Sequence, residues 1–154
     1  DPADQGRRWL VHGGLSTLAS FDLRGLPSDA GAREKARDAL RVQMGSESEA
    51  WLRALPPFWR SVNLVAVHAG LDPDLPPEGQ DRRNHVWGHR NFMTHSRSDG
   101  ICVAYGHTVV DHAHMRAGRL ALDSGAYATG KLSYALIDPA APESERVTFA
   151  VVPR

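Results

Sequence analysis

The chain has 154 residues, of which 42% are hydrophobic and 23% are charged, and this is typical of one folded domain rather than of a disordered chain. Eighteen basic residues balance eighteen acidic ones, so no net positive charge draws the protein to nucleic acid or to an anionic membrane. A single cysteine excludes a scaffold held by internal disulfides, and no apolar run is long enough to cross a bilayer.

The first third of the chain has the pattern of several helices. Apolar residues between positions 9 and 19 recur at helical spacing, and Gly13 and Gly14 divide them into two short helices. Ser28 is placed to cap a longer helix over residues 29–44, which Gly45 ends. The sequence therefore predicts that this region is helical.

A fourth helix is predicted by a capping-box pattern at Ser46 and Glu49, and Pro56 and Pro57 end it. The pattern then changes to short strands, interrupted at residues 85–93 by a segment that is compatible with a short helix. The predicted strands are 58–61, 64–68, 101–105, 119–123, 132–137 and 147–152, with tight turns near 62–63 and at 139–144. Helices followed by strands are typical of an α+β fold, in which helices pack on a mostly antiparallel sheet.

Two histidines stand at the ends of apolar predicted strands. His68 follows Leu-Val-Ala-Val at 64–67, and His107 comes two residues after the strand at 101–105. Side chains at the carboxyl ends of neighbouring strands can converge, and a neutral imidazole there is a good ligand for a transition metal. Taken singly, each is better explained as an ordinary histidine at a strand end, since histidine is commonly half-buried.

Four short segments occur in the chain in an order that is informative when they are taken together. They are W-L-V-H-G-G at 9–14, H-A-G at 68–70, G-H-T at 106–108 and D-S-G-A at 123–126. This series resembles the carboxyl-terminal part of the calcineurin-like metallophosphoesterases, and most closely their bacterial and phage serine/threonine protein phosphatases. The resemblance extends over nearly the whole chain.

The resemblance implies a partial αββα sandwich, with residues 1–56 as a helical cap and residues 57–154 as the second sheet. It implies two divalent metal ions, usually Mn²⁺ with iron or zinc as the alternative, that activate a water to attack phosphorus. His68 and His107 correspond to metal ligands of the family. Asp123 corresponds to a residue that is not a direct ligand, so it is either structural or placed behind the ligands.

The chain also departs from the family. The upstream motifs G-D-x-H-G, G-D-x-x-D-R-G and G-N-H-E are absent, so the bridging aspartate and the general acid are expected upstream of residue 1. The chain begins at Asp1 without a methionine, and we interpret it as the latter part of such a domain, inactive alone. His89 stands where the family has the arginine that holds substrate phosphate, so His89 and Arg90 are the candidate phosphate-binding residues. Arg90 either substitutes for that arginine or is an ordinary surface arginine. His112 and His114 are interpreted as part of a solvated loop.

The resemblance thus implies a cytoplasmic phosphatase of phosphoserine or phosphothreonine proteins, and we expect no nucleic-acid or membrane partner. One alternative is a dinucleoside tetraphosphate hydrolase, because the superfamily also includes nucleotide hydrolases. The other alternative is a degenerate, non-catalytic binding module, which the absent motifs and His89 favour.

Overall fold

The computed structural model describes residues 2–25, 27–142 and 145–153. The chain divides into two compact units, with the boundary between Leu55 and Pro56. The described part of the first unit is helical, and the second contains all the described strands, so the protein has the α+β order that its sequence predicts.

The first unit begins with two short helices, α1 (Pro2–Trp9) and α2 (Leu15–Ser20). A wider turn joins them, and His12 and Gly13 there have non-helical backbone angles, with φ of 98° at Gly13. Glycine adopts a positive φ without the steric cost that a Cβ brings. The predicted division at this point is confirmed.

Helix α3 (Ala30–Met44) is capped by Asp29, whose Oδ1 accepts a hydrogen bond of 2.8 Å from the Ala32 amide. The predicted cap at Ser28 is therefore wrong by one residue. The extended backbone of Asp29 (φ −124°, ψ 178°) is what lets its carboxylate reach the third amide of the helix.

Helix α4 (Ser46–Ala54) does not form the predicted capping box. Gly45 ends α3 and begins α4, and no side chain caps α4. The carboxylate of Glu49 instead accepts from Arg41 at 3.0 Å and from Arg53 at 2.7 Å. Two guanidinium groups compete successfully with a neutral backbone amide because charge-assisted hydrogen bonds are stronger.

The second unit contains a five-stranded sheet in the order β1-β2-β3-β5-β4 and a separate hairpin. The strands are β1 (Phe58–Ser61), β2 (Leu64–Val67), β3 (Cys102–Tyr105), β4 (His114–Arg116), β5 (Arg119–Ala121), β6 (Lys131–Ile137) and β7 (Val147–Pro153). Strand β4 lies where the sequence predicts a solvated loop. Its three residues are all exposed, so no apolar pattern marks it.

The five-stranded sheet is mixed, and the prediction of a mostly antiparallel sheet is wrong for it. Strands β2 and β3 pair in parallel, as do β3 and β5, whereas β1–β2 and β4–β5 are antiparallel. Parallel pairing needs a crossover connection, and residues 68–101 supply one that is long enough to return the chain to the same end.

The core of this unit lies on one face of the sheet. Val65 pairs with Val103 and Val67 with Tyr105, and all four side chains are buried. Phe92, from the crossover, packs edge-on against Tyr105 with ring centroids 4.9 Å apart. The crossover is thereby fixed to the sheet by apolar contact.

Strands β6 and β7 pair antiparallel from Lys131–Pro153 to Ile137–Val147. The predicted turn at 139–144 lies between them, but positions 143 and 144 fall outside the described residues. Within the described ranges, none of the helices is both long and apolar enough to cross a membrane.

The cap of α3 can be tested by substitution. Asp29→Ala should lower the free energy of unfolding of the helical unit by about 1 kcal/mol, because it removes the acceptor for the Ala32 amide. Urea unfolding followed by circular dichroism at 222 nm measures the change. Ser28→Ala is the matched control and should have no effect, and an equal loss in both variants would contradict the assignment.

Candidate functional site

The candidate site lies at the carboxyl ends of β2 and β3, which are neighbouring parallel strands. His68 follows β2 and His107 follows β3, and their ring centroids are 5.0 Å apart at an interplanar angle of 62°. The Gly106 amide donates a hydrogen bond of 2.9 Å to the His68 carbonyl, which ties the two strand ends together. Both histidines are exposed, so a ligand can reach them from solvent.

The backbone at His107 is unusual. Its φ is 64°, in the left-handed region that residues other than glycine rarely adopt, and the adjacent Thr108 amide donates to the Gly106 carbonyl at 2.7 Å. The Trp87 ring packs edge-on against the His107 ring, with centroids 5.7 Å apart. Backbone strain of this kind clusters at functional sites, where surrounding contacts must hold it in place.

Asp123 lies beside this pair. A Cβ built at Gly106 would lie 3.7 Å from Asp123 Oδ2 and 3.5 Å from the His68 carbonyl oxygen, so all three residues meet at one point. The other carboxylate oxygen, Oδ1, accepts a hydrogen bond of 2.8 Å from the Gly125 amide. Asp123 therefore shapes its own loop while its charge remains close to His68.

The surroundings of His68 favour its neutral form. Partial desolvation by its neighbours lowers the pKa of His68, and the charge of a protonated His107 lowers it further, whereas Asp123 acts in the opposite direction. A neutral imidazole is the form that binds a metal ion. His68 is thus available as a ligand near neutral pH.

The two histidines do not make a complete metal centre. Across the described ranges, no group of three or more His, Cys, Asp or Glu side chains is arranged to hold an ion. Two neutral imidazoles without a bridging carboxylate leave the charge of two divalent cations almost uncompensated. His68 and His107 therefore fit as two ligands of a larger centre and do not fit as a dinuclear centre by themselves.

The structure places His89 beside a carboxylate. Helix α5 (Arg82–Trp87) ends before His89, so the short helix predicted within 85–93 lies further towards the amino terminus. His89 Nδ1 is 3.6 Å from Asp72 Oδ1, and both side chains are about one-fifth exposed. Arg90 is exposed. The two predicted phosphate-binding residues therefore differ in environment, one next to a negative charge and one in solvent.

Two residues that sequence reasoning missed hold the crossover together. The Gln80 amide nitrogen donates to the carbonyls of Asp72 and Leu75, at 3.0 Å each, and its oxygen accepts from the Asp72 amide at 2.7 Å. Arg97 donates to the same two carbonyls and forms an ion pair with Asp99, and its side chain is only 7% exposed. No periodic pattern reveals such bonds, because they join side chains to backbone carbonyls of an irregular segment, and those of Arg97 reach more than 20 residues back along the chain.

A scan against protein-family models found no match to this chain, and a search of curated proteins found no similar sequence. The likeness to metallophosphoesterases is therefore carried by the short segments around His68, His107 and Asp123, together with the opening segment at 9–14. The activity that this likeness implies is accordingly a proposal.

The electrostatic link between Asp123 and His68 is testable. Asp123→Asn should lower the pKa of His68 further, because it removes the negative charge that favours the imidazolium. The imidazole Cε1–H shift of His68, followed by NMR across a pH titration in EDTA, measures this. Asp138→Asn, at an exposed aspartate after β6, is the control and should leave His68 unchanged. A rise in the pKa of His68 in Asp123→Asn would refute the link.

Proposed function

We propose that this chain forms part of a metal-dependent phosphomonoesterase of the serine/threonine protein phosphatase type. The observation that carries the proposal is the pair His68 and His107, whose rings lie 5.0 Å apart at the ends of adjacent parallel strands. Their sequence context, H-A-G and G-H-T, is what resembles the ligand motifs of the family.

In this proposal, His68 and His107 hold metal through their ring nitrogens. A pair of divalent ions, Mn²⁺ or Fe/Zn, supplies an activated water and neutralises charge on the phosphoryl oxygens when bound. Trp87, packed edge-on against His107, restricts the rotation of that ring. The Asp123 carboxylate partly opposes the lowering of the His68 pKa, and it shapes the adjoining loop by accepting from the Gly125 amide.

The remaining parts of the centre are not supplied by residues 1–154. The family likeness places the bridging aspartate and the general acid in motifs that this sequence does not contain. We therefore expect the chain to be inactive alone.

The substrate favoured by the sequence is a phosphoserine or phosphothreonine protein. The segment G-A-Y-A-T-G at 125–130 is more similar to the phosphatase version of this loop than to that of dinucleoside tetraphosphate hydrolases, which are the alternative enzyme. Arg90, exposed after Trp87 and His89, is the residue that we propose contacts substrate phosphate.

A second candidate function is a non-catalytic module with a phosphatase-like fold. The environment of His89 favours it, since the family's phosphate-binding arginine is replaced here by an imidazole 3.6 Å from the Asp72 carboxylate. A carboxylate at that position repels a phosphate group. Substrate binding would then be weakened even if metal bound normally.

Metal binding by the chain is the first test. Titration with Mn²⁺ in a calorimeter should show weak binding at most, because two protein ligands cannot hold the ion firmly. The double variant His68→Ala/His107→Ala removes both ligands and should abolish the binding. The double variant His112→Ala/His114→Ala, at two exposed histidines elsewhere, is the matched control and should bind as the wild type does. Tight binding of two Mn²⁺ per chain would contradict the expected incomplete centre.

Turnover is the second test, and it needs the complete polypeptide encoded by the reading frame. With Mn²⁺, it should hydrolyse a phosphoserine peptide faster than a dinucleoside tetraphosphate, and His68→Ala should reduce kcat by more than about 100-fold. His95→Ala, at an exposed histidine, should retain activity. The reverse substrate order would favour the nucleotide hydrolase. A frame without upstream aspartate motifs, or an inactive wild type, would favour the binding module.

A further inference from the structure

One histidine of this unit lies away from the candidate site and is buried without polar partners among the described residues. His85, on α5, is 5% exposed, and neither of its ring nitrogens has a hydrogen-bond partner among the described residues. Its ring stacks on that of Phe58 in β1, with centroids 5.4 Å apart and planes 10° from parallel. A buried polar group without a hydrogen bond is costly, and a buried unpaired charge costs more. This position therefore favours a neutral ring.

Helix α5 is connected to both histidines of the candidate site. The His85 carbonyl accepts a hydrogen bond of 2.9 Å from the Ala69 amide, directly after His68. Two residues after His85, the Trp87 ring contacts the His107 ring. A change in the position of α5 would disturb both connections together.

The charges around the His85 ring do not favour its protonation. Burial lowers the pKa of His85, and the positive charge of Arg82 lowers it as well. The nearby Pro77 backbone and the Asp81 carboxylate act in the opposite direction and raise it. Burial is the largest of these effects. The ring therefore remains neutral at a pH where an exposed histidine is already partly charged.

The elements packed beside the ring bring one further pair of charges. Arg60 lies on β1, two residues from Phe58, and Glu78 lies next to Pro77. They form an ion pair with a distance of 2.8 Å, so their charges largely compensate each other. Neither is placed as a counter-ion for His85.

We propose that His85 is an acid-sensitive lock on α5. When its ring is protonated, the added charge has neither water nor a hydrogen-bond partner at this buried position, and α5 separates from β1. The Ala69 hydrogen bond and the Trp87–His107 contact are then lost together, and the His68–His107 pair loses its support. This inference does not depend on the proposed hydrolase activity.

The direction of the pH effect follows from comparing the pKa of His85 in the folded chain with its pKa in the opened or unfolded chain. In the unfolded or opened chain, the ring takes up a proton near its ordinary pKa of about 6.5, whereas the folded ring resists it. The closed state therefore loses stability as the pH falls below about 6.5, by up to about tenfold per pH unit in the equilibrium constant. His68 has a lowered pKa as well and contributes with the same sign, so its contribution must be removed.

The experiment uses the 154-residue chain in a His68→Ala background. The Ala69 amide and the Trp87 indole N–H are followed by NMR from pH 7.5 to 5.0, and urea unfolding is measured at each end. We expect both signals to change together with the His85 ring, and the unfolding constant to rise by up to about tenfold per pH unit.

His85→Phe keeps an aromatic ring on Phe58 and removes the titration, so it should abolish the joint change and flatten the pH dependence. His85→Gln should do the same if the larger ring of phenylalanine prevents folding. His95→Phe, at an exposed histidine, is the matched control and should behave as its parent does. The lock is refuted if His85 titrates while Ala69 and Trp87 stay unchanged, or if the pH dependence survives in both His85 variants.

Discussion

The parallel pairing of β2 with β3 is the constraint on which the candidate site depends. Because both strands run in the same direction, His68 and His107 emerge at the same edge of the sheet, where their rings meet at 5.0 Å. A four-residue strand is about 13 Å long, so antiparallel pairing would have placed them at opposite edges. The chemistry of two converging imidazoles exists only because this pairing is parallel.

Parallel pairing in turn depends on the crossover at residues 68–101. That segment has little regular structure, so many of its carbonyl groups need partners that a helix or sheet would otherwise supply. Gln80 and Arg97 both donate to the carbonyls of Asp72 and Leu75, and Phe92 adds apolar contact with Tyr105. Helix α5, within the same segment, supports both site histidines through Ala69 and Trp87. The connection is therefore as much a part of the site as the strands.

Local sequence patterns predicted much of the secondary structure. The strand Leu64–Val67, the break at Gly13 and the end of α3 at Gly45 follow from alternation and from glycine, which act within a few residues. The positions of His68 and His107 at strand ends were predicted in the same way. The cap at Asp29 was missed because neighbouring polar residues compete for that role, and only the backbone angles decide between them.

The sequence by itself determined the α+β order, the approximate extent of the helices and most strands, and two histidines at strand ends. Only the tertiary structure decided that the main sheet is mixed, that Glu49 pairs with arginines, that Gln80 and Arg97 hold the crossover, and that His85 is buried unpaired. The physical reason is that periodicity reports only which side of an element is buried. Strand direction, the Arg97 hydrogen bonds and the burial of His85 depend on contacts between segments distant in sequence. The pairing of Glu49 and the bonds of Gln80 depend on competition among nearby polar groups, which periodicity does not record.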